Sequence, residues 1–391
     1  MRVTIKPFQQ VELNPAKQVL QATPYEVGLI LQARPPVCKR QVCIVCRAQE
    51  TVSPPGRQFN PLLMGAVEAL FRFPPFFNAA AKNARRMIVK RAEALGLDWE
   101  GAMRGMQAQD WEARLKAVTN PAVTYPDYYT QPFHAYGKGN LCWEAALEVT
   151  MAAKSVHAAV MDPAGREMDP EGDAKLRASY SARLLQCLSD LGVDPGNIRT
   201  ITDLGCATGL STLELMRAFP SADRVTGVDL SPHLIAVGRY EQELRQLHAQ
   251  PVPTFCIHAA NGGVPEGALT LLHGAAERTP LPAGSQDLVS LCLVCHELPQ
   301  GATRNIMREA FRVLRPGGVM AVMEMNPQSA TFQRIFGNPF AYTAFKSTEP
   351  WLQEYITLDM PGALRDAGFA AVVTREATPR HKTVVALKHG W

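Results

Sequence analysis

From about residue 174 onward, two kinds of apolar spacing alternate along the chain. Short apolar runs at 200–204, 224–228, 269–272, 287–293 and 319–325 predict strands. Between them, apolar residues three and four apart predict helices over 210–218, 232–248 and 302–314, after a helix over 174–191. A helix end at 363–368 and two further apolar runs, 371–376 and 383–388, predict a hairpin closing the sheet edge. This alternation implies an α/β domain, a doubly wound, Rossmann-like sheet of seven strands covered on both faces, over 174–391.

The preceding region, 49–173, reads as a helical cap domain. Pro54-Pro55-Gly56 marks a linker, and Asn60-Pro61 predicts a helix start, with a stop before Pro74-Pro75. Next comes an amphipathic basic helix, with Phe77, Ala80, Ala84, Met87, Ile88 and Leu95 on one side and Lys82, Arg85, Arg86 and Lys90 on the other. It is expected to pack on the catalytic domain; with Phe71, Phe73 and Phe76 nearby, peripheral membrane contact through 71–95 is the alternative. Helices over 98–118 and 139–160 flank a proline-broken loop carrying Tyr125, Tyr128, Tyr129, Phe133, His134 and Tyr136, residues suited either to a core or to a ligand pocket.

Charge changes the picture only locally. The 391 residues carry 40 basic and 36 acidic side chains, an excess too small to argue for nucleic acid, and no apolar stretch is long enough for a spanning helix. The excess sits in 1–48, where Arg2, Lys6, Lys17, Arg34, Lys39, Arg40 and Arg47 face only Glu12 and Glu26. A basic leader without an apolar centre is the composition of an organelle transit peptide, and Val42-Cys43-Ile44-Val45-Cys46-Arg47-Ala48 resembles a chloroplast processing site. A chloroplast is the expected address and a mitochondrion the alternative; a merely disordered terminus, favoured by the scarcity of serine, stays open. Two Cys-x-x-Cys pairs exist, Cys43/Cys46 and Cys292/Cys295. The first lies in the leader, and the second lies in an extended apolar run that points its two thiols to opposite faces, so no metal site is expected.

The chemistry concentrates in Thr202-Asp203-Leu204-Gly205-Cys206-Ala207-Thr208-Gly209, a carboxylate at a strand end and then a small-residue turn into a helix. Further on, Val228-Asp229-Leu230-Ser231 puts a second carboxylate at the next strand tip, where it can accept both hydroxyls of a ribose. A nucleoside cofactor is implied. Gly205 and Gly209 are spaced too closely for a dinucleotide fingerprint, and Asp203 would repel a pyrophosphate but suits a cationic ligand. That ligand is S-adenosylmethionine.

These motifs, with Ala276-Glu277, Leu281-Pro282, Gln286-Asp287-Leu288-Val289 and the run Arg308-Glu309-Ala310-Phe311-Arg312-Val313-Leu314-Arg315-Pro316-Gly317-Gly318, make residues 198–391 resemble the class I S-adenosylmethionine-dependent methyltransferases. The resemblance is to the small-molecule branch with the ubiquinone and menaquinone methyltransferases. It implies that the turn holding Asp203, Gly205, Cys206, Ala207 and Gly209 receives the methionine part of the cofactor and that Asp229, with Leu230, receives the ribose. It also implies that Ala276 and Glu277 border the adenine and that Cys292 and Leu293 lie under the sulfonium. Many relatives carry an aspartate where this chain has Ala275, which implies either weaker adenine binding or an amino group held by backbone alone.

Methyl transfer is an in-line displacement that needs positioning and exclusion of water rather than a metal. If the acceptor must lose a proton, His296 beyond the fourth strand is the candidate base, with Glu297 as its orienting partner; a purely structural His296 is the alternative. The aromatic segment 326–350, with Phe336 and Tyr342, and the loop residues Tyr129, His134 and Tyr136 are the candidate acceptor pocket or, alternatively, a packed lid. The expected function is methylation of a small, aromatic or prenylated acceptor, with no nucleic acid partner and an oligomeric state the sequence leaves open. RNA or protein methylation is disfavoured because Cys295-His296-Glu297-Leu298 stands where base methyltransferases carry an Asn-Pro-Pro-Tyr-type tetrad. A non-catalytic scaffold is opposed by the intact Asp203, Gly205, Gly209 and Asp229.

Overall fold

The computed structural model describes residues 74–134, 136–247 and 268–390, which fall in one compact unit. The basic leader, the helix expected from Asn60, Phe71, Phe73, the Cys43/Cys46 pair, Cys38 and Cys256 lie outside the described residues.

Among the described residues, four α-helices build the cap: α1 (Pro74–Ala94), α2 (Trp99–Gln107), α3 (Trp111–Val118) and α4 (Trp143–His157). The single helix expected over 98–118 is two, because Asp110 starts a second one. Its carboxylate accepts the Ala113 N–H at 3.1 Å, as Asp98 does for Gly101 at 2.8 Å, and each cap satisfies an otherwise orphaned donor. Trp111 then closes the corner, its indole N–H donating to the Met106 carbonyl at 2.7 Å. Helix α1 lays Ile88, Val89 and Ala92, with Leu95 just after it, against Trp99, Ala102 and Met151. Arg85, expected on the polar face, instead grips the carboxylate of Glu148 on α4, whereas Met87 is exposed.

The catalytic half opens with α5 (Gly172–Asp190), whose Leu176, Tyr180, Leu184 and Leu188 recur every fourth residue and are wholly buried. Each such leucine contributes roughly 1.5–3 kcal/mol by leaving water. There follow β1 (Thr200–Leu204), α6 (Leu210–Ala218), β2 (Arg224–Asp229), α7 (Pro232–Leu247), β3 (Leu269–His273), β4 (Gln286–Cys292), α8 (Gln300–Val313) and β5 (Leu314–Met325). The expected strands and helices agree with these to within a residue or two, apart from β5, which begins five residues early. Short helices α9 (Ala330–Phe336), α10 (Pro339–Thr348), α11 (Leu352–Thr357) and α12 (Met360–Asp366) lead to the hairpin β6 (Ala371–Thr378) and β7 (His381–Leu387).

The sheet order is β3-β2-β1-β4-β5-β7-β6. Strands β1 to β5 are parallel and β7 runs antiparallel to both β5 and β6. The seven-strand doubly wound fold expected from the alternation is therefore the observed one. Connections leave β1 toward β2 and enter β4 on its other side, so the strand order reverses between β1 and β4. Ligands of open α/β sheets bind at such a reversal, beyond the carboxyl ends of the strands. No helix among the described residues is long and apolar enough to cross a membrane.

Candidate active site

At the carboxyl end of β1 the chain turns sharply: Gly205, Ala207 and Gly209 all have positive φ, 66°, 48° and 92°. A Cβ on Gly205 would come within 2.6 Å of Val294, so only glycine fits that turn. Asp203 just before it is wholly buried. One of its oxygens accepts hydroxyls from Ser211 (2.6 Å) and Thr212 (2.8 Å), while Oδ1 has no partner. Burial pushes this carboxyl up despite those hydroxyls. An orphaned buried acceptor of negative charge is what the amino group of S-adenosylmethionine would satisfy. Asp229, at the end of β2, accepts backbone N–H groups from Ala207 (2.9 Å) and Ser231 (2.8 Å), and its remaining lone pairs are suited to two ribose hydroxyls. Burial raises it to about 6, against the pull of those donors. These residues fit the cofactor.

The cap closes over this end. The Asn120 N–H donates to Nδ1 of His273 (2.9 Å), which fixes the proton on Nε2, where it donates to the Leu230 carbonyl (3.2 Å). Tyr125 stacks on His273 and on Tyr129. Tyr128 donates to Glu277 (3.1 Å) and Ser231 to the Asn140 carbonyl (2.6 Å). Tyr129 is thereby placed beside both Asp229 and Glu297, whose charges, after burial, raise its phenol.

On the other side of the β1/β4 crevice lies a cluster that the sequence revealed only in part. His134 Nε2 stands 3.0 Å from Glu349 and 3.6 Å from Glu297; His296 Nε2 stands 4.0 Å from Glu297. His296 Nδ1 is held by both oxygens of Glu324, at 2.8 and 3.0 Å. Burial opposes charge on His296, yet Glu324 outweighs it and raises the ring to about 10. Glu297 goes up to about 7, pushed by burial and pulled back by the two histidines. His134 is raised, its burial outweighed by Glu349 and Glu297. Its backbone is strained, at a φ of 50°, and its N–H donates to the Thr348 carbonyl at the end of α10.

The surroundings expected of His296 need correcting: the buried Glu324 carboxylate favours the charged ring and occupies Nδ1, leaving Nε2 as the nitrogen that faces the cluster. Its orienting partner is Glu324, not the adjacent Glu297. Three further acceptor candidates have other employment. Tyr136 donates its hydroxyl to Glu148 (2.9 Å), and Phe336 and Tyr342 are buried in the core beside Phe332 and Leu352. Of the acceptor candidates, Tyr129 and His134 do reach the cluster. Among the cofactor candidates, Cys206 and Cys292 are buried thiols pushed up by burial, Leu293 turns the chain after β4 with a φ of 58°, and Ala276 packs on the core next to Glu277. Cys292 and Cys295 belong to the cores on opposite faces of the sheet, but not through the expected extended run: β4 ends at Cys292, Leu293 turns the chain and Cys295 opens a 3-10 turn. Sequence reasoning missed Glu324, whose signal was a carboxylate in the apolar strand Val319-Met320-Ala321-Val322-Met323-Glu324-Met325, and Glu349, which gave none. It also missed Arg177 on α5, which is paired with Asp173 at 3.0 Å and directed at Cys292 Sγ.

Such a fold, with this pair of carboxylates at the tips of β1 and β2, is a class I S-adenosylmethionine-dependent methyltransferase. Residues 202–322 match the family model of a methyltransferase domain. An uncharacterized methyltransferase of Synechocystis sp. is 29% identical over 187 residues, which cover 47% of this chain and 72% of the relative. A demethylmenaquinone methyltransferase of Listeria welshimeri is 26% identical over 189 residues, covering 44% and 70%. Among solved structures, an S-adenosylmethionine-dependent methyltransferase from Aquifex aeolicus aligns with 55% of this chain and 93% of its own, with 15% identity and a TM-score of 0.36. The protein is an enzyme that uses S-adenosylmethionine on a small-molecule acceptor.

Proposed function

We propose that the acceptor is a small aromatic or prenylated molecule carrying an acidic proton, and that the reaction takes place in a plastid. The observation that carries the acceptor reading is the crevice at β1/β4, where an ionisable cluster (His134, His296, Glu297, Glu349) adjoins the cofactor carboxylates beneath Tyr125, Tyr128 and Tyr129. Bound there, S-adenosylmethionine supplies a methyl group on a sulfonium. The chain's own residues have three tasks. Asp203 and Asp229 orient the donor, the tyrosines exclude water and stack on a flat acceptor, and the cluster accepts the proton that the acceptor gives up. As the new bond to the methyl carbon forms, the carbon–sulfur bond breaks with its electron pair on sulfur, so the only other product is that proton.

The relatives named for demethylmenaquinone support a quinone-like acceptor. The basic leader supports the plastid address. A membrane is where a prenylated acceptor would be met, and the exposed Lys82, Arg86, Met87 and Lys90 of α1 suit contact with an anionic surface. The test is transfer of labelled methyl from S-adenosylmethionine into a plastid lipid extract by the wild-type protein and by Asp229→Ala. Label in an apolar aromatic product, absent with the variant, is expected. Label confined to polar or macromolecular fractions would overturn the acceptor reading, and import of a leader fusion into mitochondria alone would overturn the address.

A further inference from the structure

We propose that His134, His296 and Glu297 form a binding site for a divalent ion of the zinc or iron(II) type, open on one side to an oxygen of the acceptor. One donor atom from each residue can be chosen so that all lie within 4.8 Å of one another. The separations of Glu297 Oε1 from His134 Nε2 and His296 Nε2, 3.6 and 4.0 Å, are too long for hydrogen bonds. Donors around a tetrahedral zinc, with bonds of about 2.0–2.1 Å, are spaced by roughly 3.3 Å, so side-chain rotations that draw the donors together by up to about 1.5 Å bring all three into one coordination sphere.

Two independent features point the same way. Glu349, 7% exposed, places Oε1 3.0 Å from His134 Nε2, yet its Oε2 is buried with no hydrogen-bond partner. A buried carboxylate oxygen left unsatisfied beside two imidazoles lacks a cation, and a metal ion would supply one. Further, Glu324 is wholly buried and grips Nδ1 of His296 with both oxygens, leaving Nε2 as the donor that faces the cluster. Metal-ligating histidines are held in this manner by a carboxylate on the far nitrogen, which fixes the tautomer and strengthens the donor. Two imidazoles with carboxylates and no thiolate select zinc or iron(II) over calcium, magnesium or copper(I).

The ion's role rests on the methyl-transfer reading above and deepens it by restricting the acceptor to a hydroxyl compound. The acceptor oxygen becomes a further ligand and its O–H bond breaks, the proton passing to Glu349 and on to water. The oxygen's electron pair then forms the bond to the methyl carbon while sulfur keeps the pair of the broken bond. No oxidant or reductant is needed.

The test uses the full chain, stripped with a chelator and titrated with Co²⁺ alone, read by visible absorption and calorimetry. One equivalent is expected, with d–d bands of nitrogen and oxygen ligation and without the sulfur charge-transfer band that the scattered cysteines would give. Binding should be lost in His134→Ala and in the isosteric Glu297→Gln, and weakened about 10- to 100-fold in Glu324→Gln. Affinity for S-adenosylhomocysteine shows whether each variant is folded, and Glu297→Gln decides should His134→Ala fail that check. Absence of the bands in the wild-type protein, or equal bands in folded variants, overturns the metal site. Methyl transfer that persists in the stripped protein without Co²⁺ binding would sink the site while leaving the function standing; lack of S-adenosylhomocysteine binding would sink the function whatever cobalt does.

Discussion

Asp229 has two tasks that pull its ionisation in opposite directions. Burial lifts it to about 6, but ribose hydroxyls would donate to the carboxylate, not to the acid, so cofactor binding favours the charged form. Affinity for S-adenosylhomocysteine should be flat above that value and fall by about tenfold per pH unit well below it, because each unit then removes nine-tenths of the ionised site. The sign is reversed for the free fold. The unfolded chain releases this proton near the ordinary carboxyl value and the folded chain only near 6, so raising the pH through that interval lowers stability, which bound cofactor offsets. Calorimetric titration between pH 5 and about 8 checks the binding limb, and an affinity independent of pH there would show that Asp229 is not the ribose ligand. Asp229→Ala, which removes charge-assisted hydrogen bonds, should weaken binding by about 1.5–3 kcal/mol, roughly 10- to 100-fold.

Among the elements, α1 is tied to α4 through a buried carboxylate as well as through its apolar seam. Glu148 is 4% exposed, receives the Arg85 guanidinium from α1 and accepts the Tyr136 hydroxyl from the aromatic loop, so one side chain fastens two segments to α4. Glu148→Ala leaves Arg85 and Tyr136 unpaired and should destabilise the cap by about 2 kcal/mol, seen as faster hydrogen exchange in α1 and in the loop around Tyr136. Unchanged exchange would mean that the apolar seam of Ile88, Ala92 and Leu95 holds α1 alone. This tie also marks where the sequence stops being legible. Strands β1 to β4 and helices α6 and α7 are written in local periodicity, and the turn at Gly205 and Gly209 in local spacing, so both could be read from the chain. Arg85 and Glu148, His296 and Glu324, and His134 and Glu349 are pairs made by the fold across tens to hundreds of residues. No spacing rule joins such partners, and for that reason the sequence pairs His296 with its neighbour Glu297 and not with Glu324. The break at Asp110 was legible in principle, since an aspartate before Trp111 is a cap signal inside what reads as one amphipathic helix.

For the whole molecule, the cap is fastened to the catalytic domain by a seam on α7, where Trp111 and Ala146 pack on Leu234 and Val237 and Thr150 donates to Glu241, and also by the site's own walls. Asn120, Tyr125 and Tyr128 hold the tips beyond β3, Asn140 holds the start of α7, and His134 bridges to Glu349 and to the Thr348 carbonyl. A ligand entering the β1/β4 crevice must therefore pass beneath or displace the loop 120–141, and once seated it adds contacts to the same loop. Ligand binding should stabilise the cap and the catalytic domain together, since they share one closed surface. Hydrogen exchange with and without S-adenosylhomocysteine should accordingly show protection in 120–141 and in 293–298, in addition to the turn 203–209 and the tip of β2. If protection stopped at the turn and β2, the cap would be a static layer over the sheet. The acceptor would then have to enter by a route that leaves Tyr129 and His134 undisturbed, and their place in the acceptor site would fall.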